Sequence, residues 1–121
     1  QARVLLPEAD DPTLARLAAV AGETGVWLLL GSLCLKSGDP DGRFVNRSFL
    51  IGPDGTVRAR YDKIHMFDVD VGGPESYRES AAYRPGDRAV VADALSRKSP
   101  VSIAFAIPAV ASAWLAPTAP L

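Results

Sequence analysis

Apolar residues recur at Leu14, Leu17, Ala18 and Ala21, the i, i+3, i+4, i+7 spacing of a helix with one buried face. Residues 8–12, Glu-Ala-Asp-Asp-Pro, read as its start, with Asp11 as N-cap and Pro12 in the first helical position. Gly22 and Gly25 are expected to close it. The run Val26-Trp27-Leu28-Leu29-Leu30 is continuously apolar, the pattern of a strand buried on both faces. A helix followed by such a strand predicts a layered α/β arrangement. After a turn-rich loop, Lys36 to Arg43, the alternation of Phe44 to Ile51 predicts a second strand. Pro53-Asp54-Gly55 makes a tight turn and Thr56 to Tyr61 alternates back, completing a β-hairpin. Asp62 to Asp87 reads as a long irregular stretch, holding Gly72, Gly73, Pro74, Pro85 and Gly86. Loops of that length in small domains often carry function. Two further strands are expected at Ala89–Ala92 and Val101–Phe105, and no internal repeat is present.

Composition narrows the class. The 121 residues fit one small domain, and 48% hydrophobic with 22% charged residues is a globular balance that excludes disorder. Thirteen Lys+Arg against fourteen Asp+Glu leave a net charge of −1, which offers nothing to nucleic acid or a membrane surface. One Cys excludes an internal disulfide, and one His beside it excludes a Cys/His zinc site. No apolar run approaches the roughly 18 residues of a membrane span. The opening Gln1-Ala2-Arg3-Val4-Leu5-Leu6-Pro7 does not read as a signal peptide, which makes the cytoplasm the expected compartment. It also lacks Met, so the chain is expected to be a piece of something longer. Ser99 to Leu121 contains no charged residue, seven Ala and four Pro. Such a tail is either buried against a partner or not the natural continuation of the chain.

Several residues could carry chemistry. Lys63, where the hairpin feeds the long loop, could hold an oxyanion or act as a base, or could pair with Asp62 in solvent. Glu75 and Glu79, in Pro74-Glu75-Ser76-Tyr77-Arg78-Glu79, could orient that lysine or be ordinary surface acids. Asp68 and Asp70 would share one face of an extended segment, but two carboxylates do not make a cation site. His65, with no ligand partners, reads as a structural histidine. Cys34 sits among Leu and Gly with no base to make a thiolate, so buried packing is the better expectation. The glycosylation sequon Asn46-Arg47-Ser48 falls in a strand and is set aside.

Three segments taken together resemble the nitrilase, or carbon–nitrogen hydrolase, superfamily in its amidase-like branch. They are Gly25-Val26-Trp27-Leu28-Leu29-Leu30-Gly31-Ser32, Asn46-Arg47-Ser48-Phe49-Leu50-Ile51-Gly52-Pro53-Asp54-Gly55, and Tyr61-Asp62-Lys63-Ile64-His65-Met66-Phe67-Asp68-Val69-Asp70. The third is the most specific. The resemblance implies part of an α-β-β-α sandwich, an α/β fold in one incomplete domain. It further implies hydrolysis of a small non-peptide carboxamide by a Glu-Lys-Cys thioester mechanism without cofactor or metal. Lys63 is then the triad lysine, and Glu79 a second glutamate that supports the lysine and the substrate. Pro7-Glu8 looks like the family's Pro-Glu pair, but the helix start follows it at once, so the triad glutamate is expected before Gln1. At the nucleophile's place, where the family reads like Ile-Cys-Tyr-Asp, this chain has Ile103-Ala104-Phe105-Ala106. The chain as written is therefore expected not to hydrolyse amides. Residues 1–103 are expected to be a partial carbon–nitrogen hydrolase domain, and 104–121 an atypical uncharged tail that comes either from a shifted frame or truncated gene, the favoured explanation, or from a genuine relative that has lost activity. The expected partner is a small amide or carboxylate, with homo-oligomers formed by the full-length parent. The alternative is a non-catalytic ligand-binding or interaction module built on the Lys63–Glu79 loop.

Overall fold

The helix foreseen from the periodicity, α1 (Pro12–Thr24), begins where Asp11 accepts the Leu14 backbone N–H on its Oδ1 at 2.9 Å. Pro12 occupies the first helical position, where a missing N–H costs nothing. A 3-10 turn, Glu8–Asp10, leads into it. The helix ends at Gly25, whose φ of +68° is left-handed and whose N–H donates to the Ala21 carbonyl at 2.8 Å. Gly22, expected to help close the helix, lies inside it instead. There it faces the hairpin turn, since a Cβ on Gly22 would meet the Asp54 backbone at 3.5 Å. The computed structural model describes residues 5–69, 77–95, 100–105 and 114–117.

Three strands, β1 (Leu28–Lys36), β2 (Phe44–Ile51) and β3 (Val57–Asp62), form an antiparallel sheet in the order β1-β2-β3. The β2–β3 turn is closed by the Gly52 N–H on the Thr56 carbonyl at 2.8 Å. Asp54 Oδ1 accepts both the Thr56 N–H at 3.1 Å and its hydroxyl at 2.7 Å. Gly55 is required here twice over. Its φ is +81°, and a Cβ would come within 2.8 Å of the Ala18 carbonyl oxygen on α1.

Alternation along β2 sends its side chains to two cores. Val45, Phe49 and Ile51 pack with Leu14, Ala21 and Leu35, so α1 covers one face of the sheet. Leu50 and Tyr61 look the other way and pack with Trp27, Ala59, Ile64, Val90 and Ala92. Val90 and Ala92 come from β6 (Val90–Leu95), which pairs antiparallel with β7 (Pro100–Phe105), itself paired with β8 (Trp114–Pro117). Helix, sheet and second sheet are thus stacked, as the α/β layering predicts.

Two expectations need correction. The apolar run at Val26–Leu30 is not a strand buried on both faces: β1 starts at Leu28, with Val26 46% and Leu29 38% exposed. Among the described residues β1 is an edge strand, and β6 covers the part of the second face lying over β2 and β3. The stretch from Asp62 to Asp87 is not wholly irregular either. It contains the pair β4 (Asp68–Val69) and β5 (Tyr77–Arg78) and the one-turn helix α2 (Glu79–Ala82). No helix among the described residues is long and apolar enough to cross a membrane.

Candidate active site

Lys63 follows directly on β3. Its N–H donates to the Asn46 carbonyl at 2.9 Å, extending the β2–β3 pairing by one residue, and its own carbonyl accepts the Gly86 N–H at 2.9 Å. Only glycine fits at 86, because a Cβ would collide with the Asp62 carbonyl oxygen and lie 2.9 Å from the carbonyl carbon. The lysine backbone is therefore gripped from both sides, and its side chain leaves from a fixed point.

That side chain ends on Glu79, the first residue of α2 and 8% exposed. The Lys63 Nζ donates to both carboxylate oxygens, at 2.8 Å and 2.9 Å. The Phe67 backbone N–H adds a third donor to Oε2 at 2.6 Å. Burial pushes the Glu79 carboxyl up, but the Lys63 and Phe67 hydrogen bonds outweigh it and hold the group below the ordinary glutamate value. Glu79 is therefore an anion at neutral pH. An ammonium carries three N–H donors, so one remains on Lys63 for a ligand. A cation held this way can steady a carboxylate or a developing oxyanion.

Asp62 does not compete for Lys63. Consecutive residues of an extended chain face opposite sides, and Asp62 lies on the α1 side of the sheet. There Arg47 grips it with Nε at 2.6 Å and Nη2 at 2.9 Å, and Arg84 approaches at 3.5 Å. Glu8 joins the same side. The Arg60 hydrogen bond, at 2.8 Å, holds its carboxyl below the ordinary value against a smaller effect of burial, and Arg47 assists at 3.3 Å. A cleft of about 470 Å³ opens among Arg47, Arg60, Asp62, Arg84 and Arg88. Each of its arginines already has a carboxylate partner, so it offers no unmatched positive charge.

The remaining candidates separate. Asp68 accepts the Ser80 N–H at 3.0 Å and the Ser80 hydroxyl at 2.7 Å, which anchors the start of α2. Asp70 and Glu75 lie outside the described residues, as do Ala106 and most of the tail. His65 is exposed, contrary to the expectation of a packed structural histidine. Cys34 is half-buried on β1, and its Sγ accepts the Tyr83 hydroxyl at 3.2 Å. Ala104 lies on β7, opposite Val91 and Trp114. Among the described residues no group of three or more His, Cys, Asp or Glu could hold a metal ion. Sequence reasoning missed the contributions of Phe67 and Gly86, which act through backbone N–H groups that no side-chain pattern reveals.

Fold and site together define a layered α/β protein with a lysine–carboxylate pair at a strand end. The family model described as carbon–nitrogen hydrolase matches residues 1–107, and the chain belongs to that family. It is 40% identical over 85 residues to a deaminated glutathione amidase of Yersinia enterocolitica, covering 69% of this chain and 30% of that protein. It is 38% identical over 89 residues to omega-amidase NIT2-B of Xenopus laevis, covering 74% of this chain and 31% of the relative. The chain thus spans under a third of the length of these curated relatives. Among solved structures, the C. elegans NitFhit protein superposes with a TM-score of 0.55 at 31% identity, over 65% of this chain and 19% of that one.

Proposed function

We propose that Lys63 and Glu79 are the lysine half of an amidase-type carbon–nitrogen hydrolase site, and that they hold a small carboxamide or the carboxylate derived from it. The observation that carries this reading is the contact of Lys63 Nζ with both Glu79 oxygens, on a carboxylate also capped by the Phe67 N–H. Glu79 fixes the ammonium in place, and its remaining N–H meets the ligand oxygen, where negative charge would grow when a nucleophile attacks the carbonyl carbon.

A thioester mechanism also needs a thiol and a base for its proton. The family resemblance puts Ala104 at the thiol's place, and a methyl group cannot form a thioester. Cys34 does not substitute, since it lies on β1 and not on the strand that carries Ala104. The chain as written therefore binds without turning over. Its reaction class belongs to the family, with ammonia as leaving group and water opening the thioester.

The test is paired. Ammonia release from propionamide by the purified chain is expected to equal the buffer blank. Saturable binding of propionamide or propionate is expected by NMR titration, weakened by Lys63→Gln. Ammonia release above the blank would refute the inactive reading. Binding that Lys63→Gln leaves unchanged would refute the site.

A further inference from the structure

Arg47 pairs with Asp62 and Cys34 with Asn46 across the sheet, so the next rung places Asn46 directly opposite Lys63. The Lys63 N–H on the Asn46 carbonyl at 2.9 Å fixes that rung. Opposed residues on antiparallel strands project to the same face with Cβ atoms about 4.5–5.5 Å apart. Asn46 therefore stands beside Lys63 on the side of the sheet away from α1. It is half-buried, and its side-chain amide meets no hydrogen-bond partner among the described residues. No wholly buried polar side-chain atom lacks a partner there either, so the Asn46 amide must be open to solvent. Holding a half-buried amide without a partner, next to a lysine that still has a free N–H, is an arrangement that a ligand completes.

We propose that Asn46 is a specificity-determining contact for the ligand held at Lys63, and that it favours a carboxamide over the corresponding carboxylate. This rests on the reading of Lys63 and Glu79 as a ligand site. The chemistry follows from hydrogen-bond inventories. A primary carboxamide offers an N–H donor and a carbonyl acceptor, which match the Oδ1 acceptor and Nδ2 donor of asparagine. A carboxylate offers acceptors only, leaving Asn46 Oδ1 unmatched, while Lys63 alone would favour the carboxylate. Asn46 tilts that balance toward the neutral amide.

The chain itself supplies a clean probe. Asn46 is its only asparagine and Gln1 its only glutamine, so just two side-chain NH₂ pairs appear in a ¹⁵N–¹H spectrum, and Asn46→Ala assigns them. Titration with propionamide is expected to shift the Asn46 pair saturably. Asn46→Ala is expected to weaken propionamide about threefold to tenfold, the range of one or two amide hydrogen bonds, and to change propionate less. Asn46→Asp, of the same shape, controls for packing and should disfavour propionate most. Suppose propionamide binds in a Lys63-dependent way while the Asn46 pair stays still and Asn46→Ala binds equally well. The inference is then overturned and the site stands. If neither ligand binds, or Lys63→Gln changes nothing, the site reading fails and the inference falls with it.

Discussion

Gly86→Ala perturbs the site through the backbone alone. The added methyl carbon would collide with the Asp62 carbonyl oxygen and sit 2.9 Å from the carbonyl carbon and 3.0 Å from the Asp62 Cβ. None of these is the free end of a flexible side chain, so relief requires the 84–88 segment to move away from β3. Overpacking of that kind costs about 1–3 kcal/mol. The movement also breaks the Gly86 N–H to Lys63 carbonyl bond, worth about 1 kcal/mol more. The expected loss is roughly 2–4 kcal/mol, or about 8 °C or more of melting temperature for a domain of this size. Urea and thermal unfolding followed by circular dichroism measure it, and the Lys63 amide resonance reports whether the strand end has shifted. Gly31→Ala is the control. A Cβ there meets nothing within 4 Å, so its expected cost stays within about 0.5 kcal/mol. The reasoning fails if the two alanines cost the same, or if Gly86→Ala leaves the Lys63 amide signal in place.

Acid should weaken the protein partly through Glu79. Its folded carboxyl titrates below the unfolded value, so its stabilising contribution is complete above the unfolded value and is lost as pH falls through the folded one. Glu79→Gln is expected to flatten the stability profile between about pH 6 and pH 3 when urea midpoints are taken across that range. The N-terminal end of α1 should depend on Asp11, whose Oδ1 caps Leu14. Asp11→Ala is expected to cost about 1 kcal/mol and Asp11→Ser only a few tenths, read from the same urea curves.

The parts of the fold written in local chemistry were legible from the residues. Asp11, Pro12 and Gly25 mark α1 by their own backbone preferences, and Pro53-Asp54-Gly55 marks the hairpin turn for the same reason. The residues alone left Glu75 and Glu79 open as partners of Lys63, and only the resemblance singled out Glu79, because the two lie 16 residues apart and no local rule joins them. Three readings failed for want of tertiary information. Gly22 stays inside the helix because the left-handed residue that ends α1 is Gly25, and Leu29 is exposed because, among the described residues, β6 packs over β2 and β3 and not over β1. The alternative that paired Lys63 with its neighbour Asp62 fails because pleating sends adjacent side chains apart. Asn46 stood in the sequence as a discarded sequon and as the start of a family-like segment, and neither gave it a role, since its place opposite Lys63 is a fact of strand register.

One irregularity bears on how the molecule behaves at high concentration. Among the described residues β1 is an edge strand, and its pairing with β2 shifts register between Leu30 and Leu33. The Ser48 hydroxyl donates to the Gly31 carbonyl inside that bulge. Fibril-forming stacks need an unbroken run of about six or seven residues in one register. The bulge leaves the nine-residue β1 with regular runs of only three and four, Leu28–Leu30 and Leu33–Lys36. The Lys36 N–H at the far end is already taken by the Leu6 carbonyl at 3.0 Å. Among the described residues β1 pairs only with β2, and its kink makes this apolar strand a poor template for its own copies, against growth of the sheet into a ribbon.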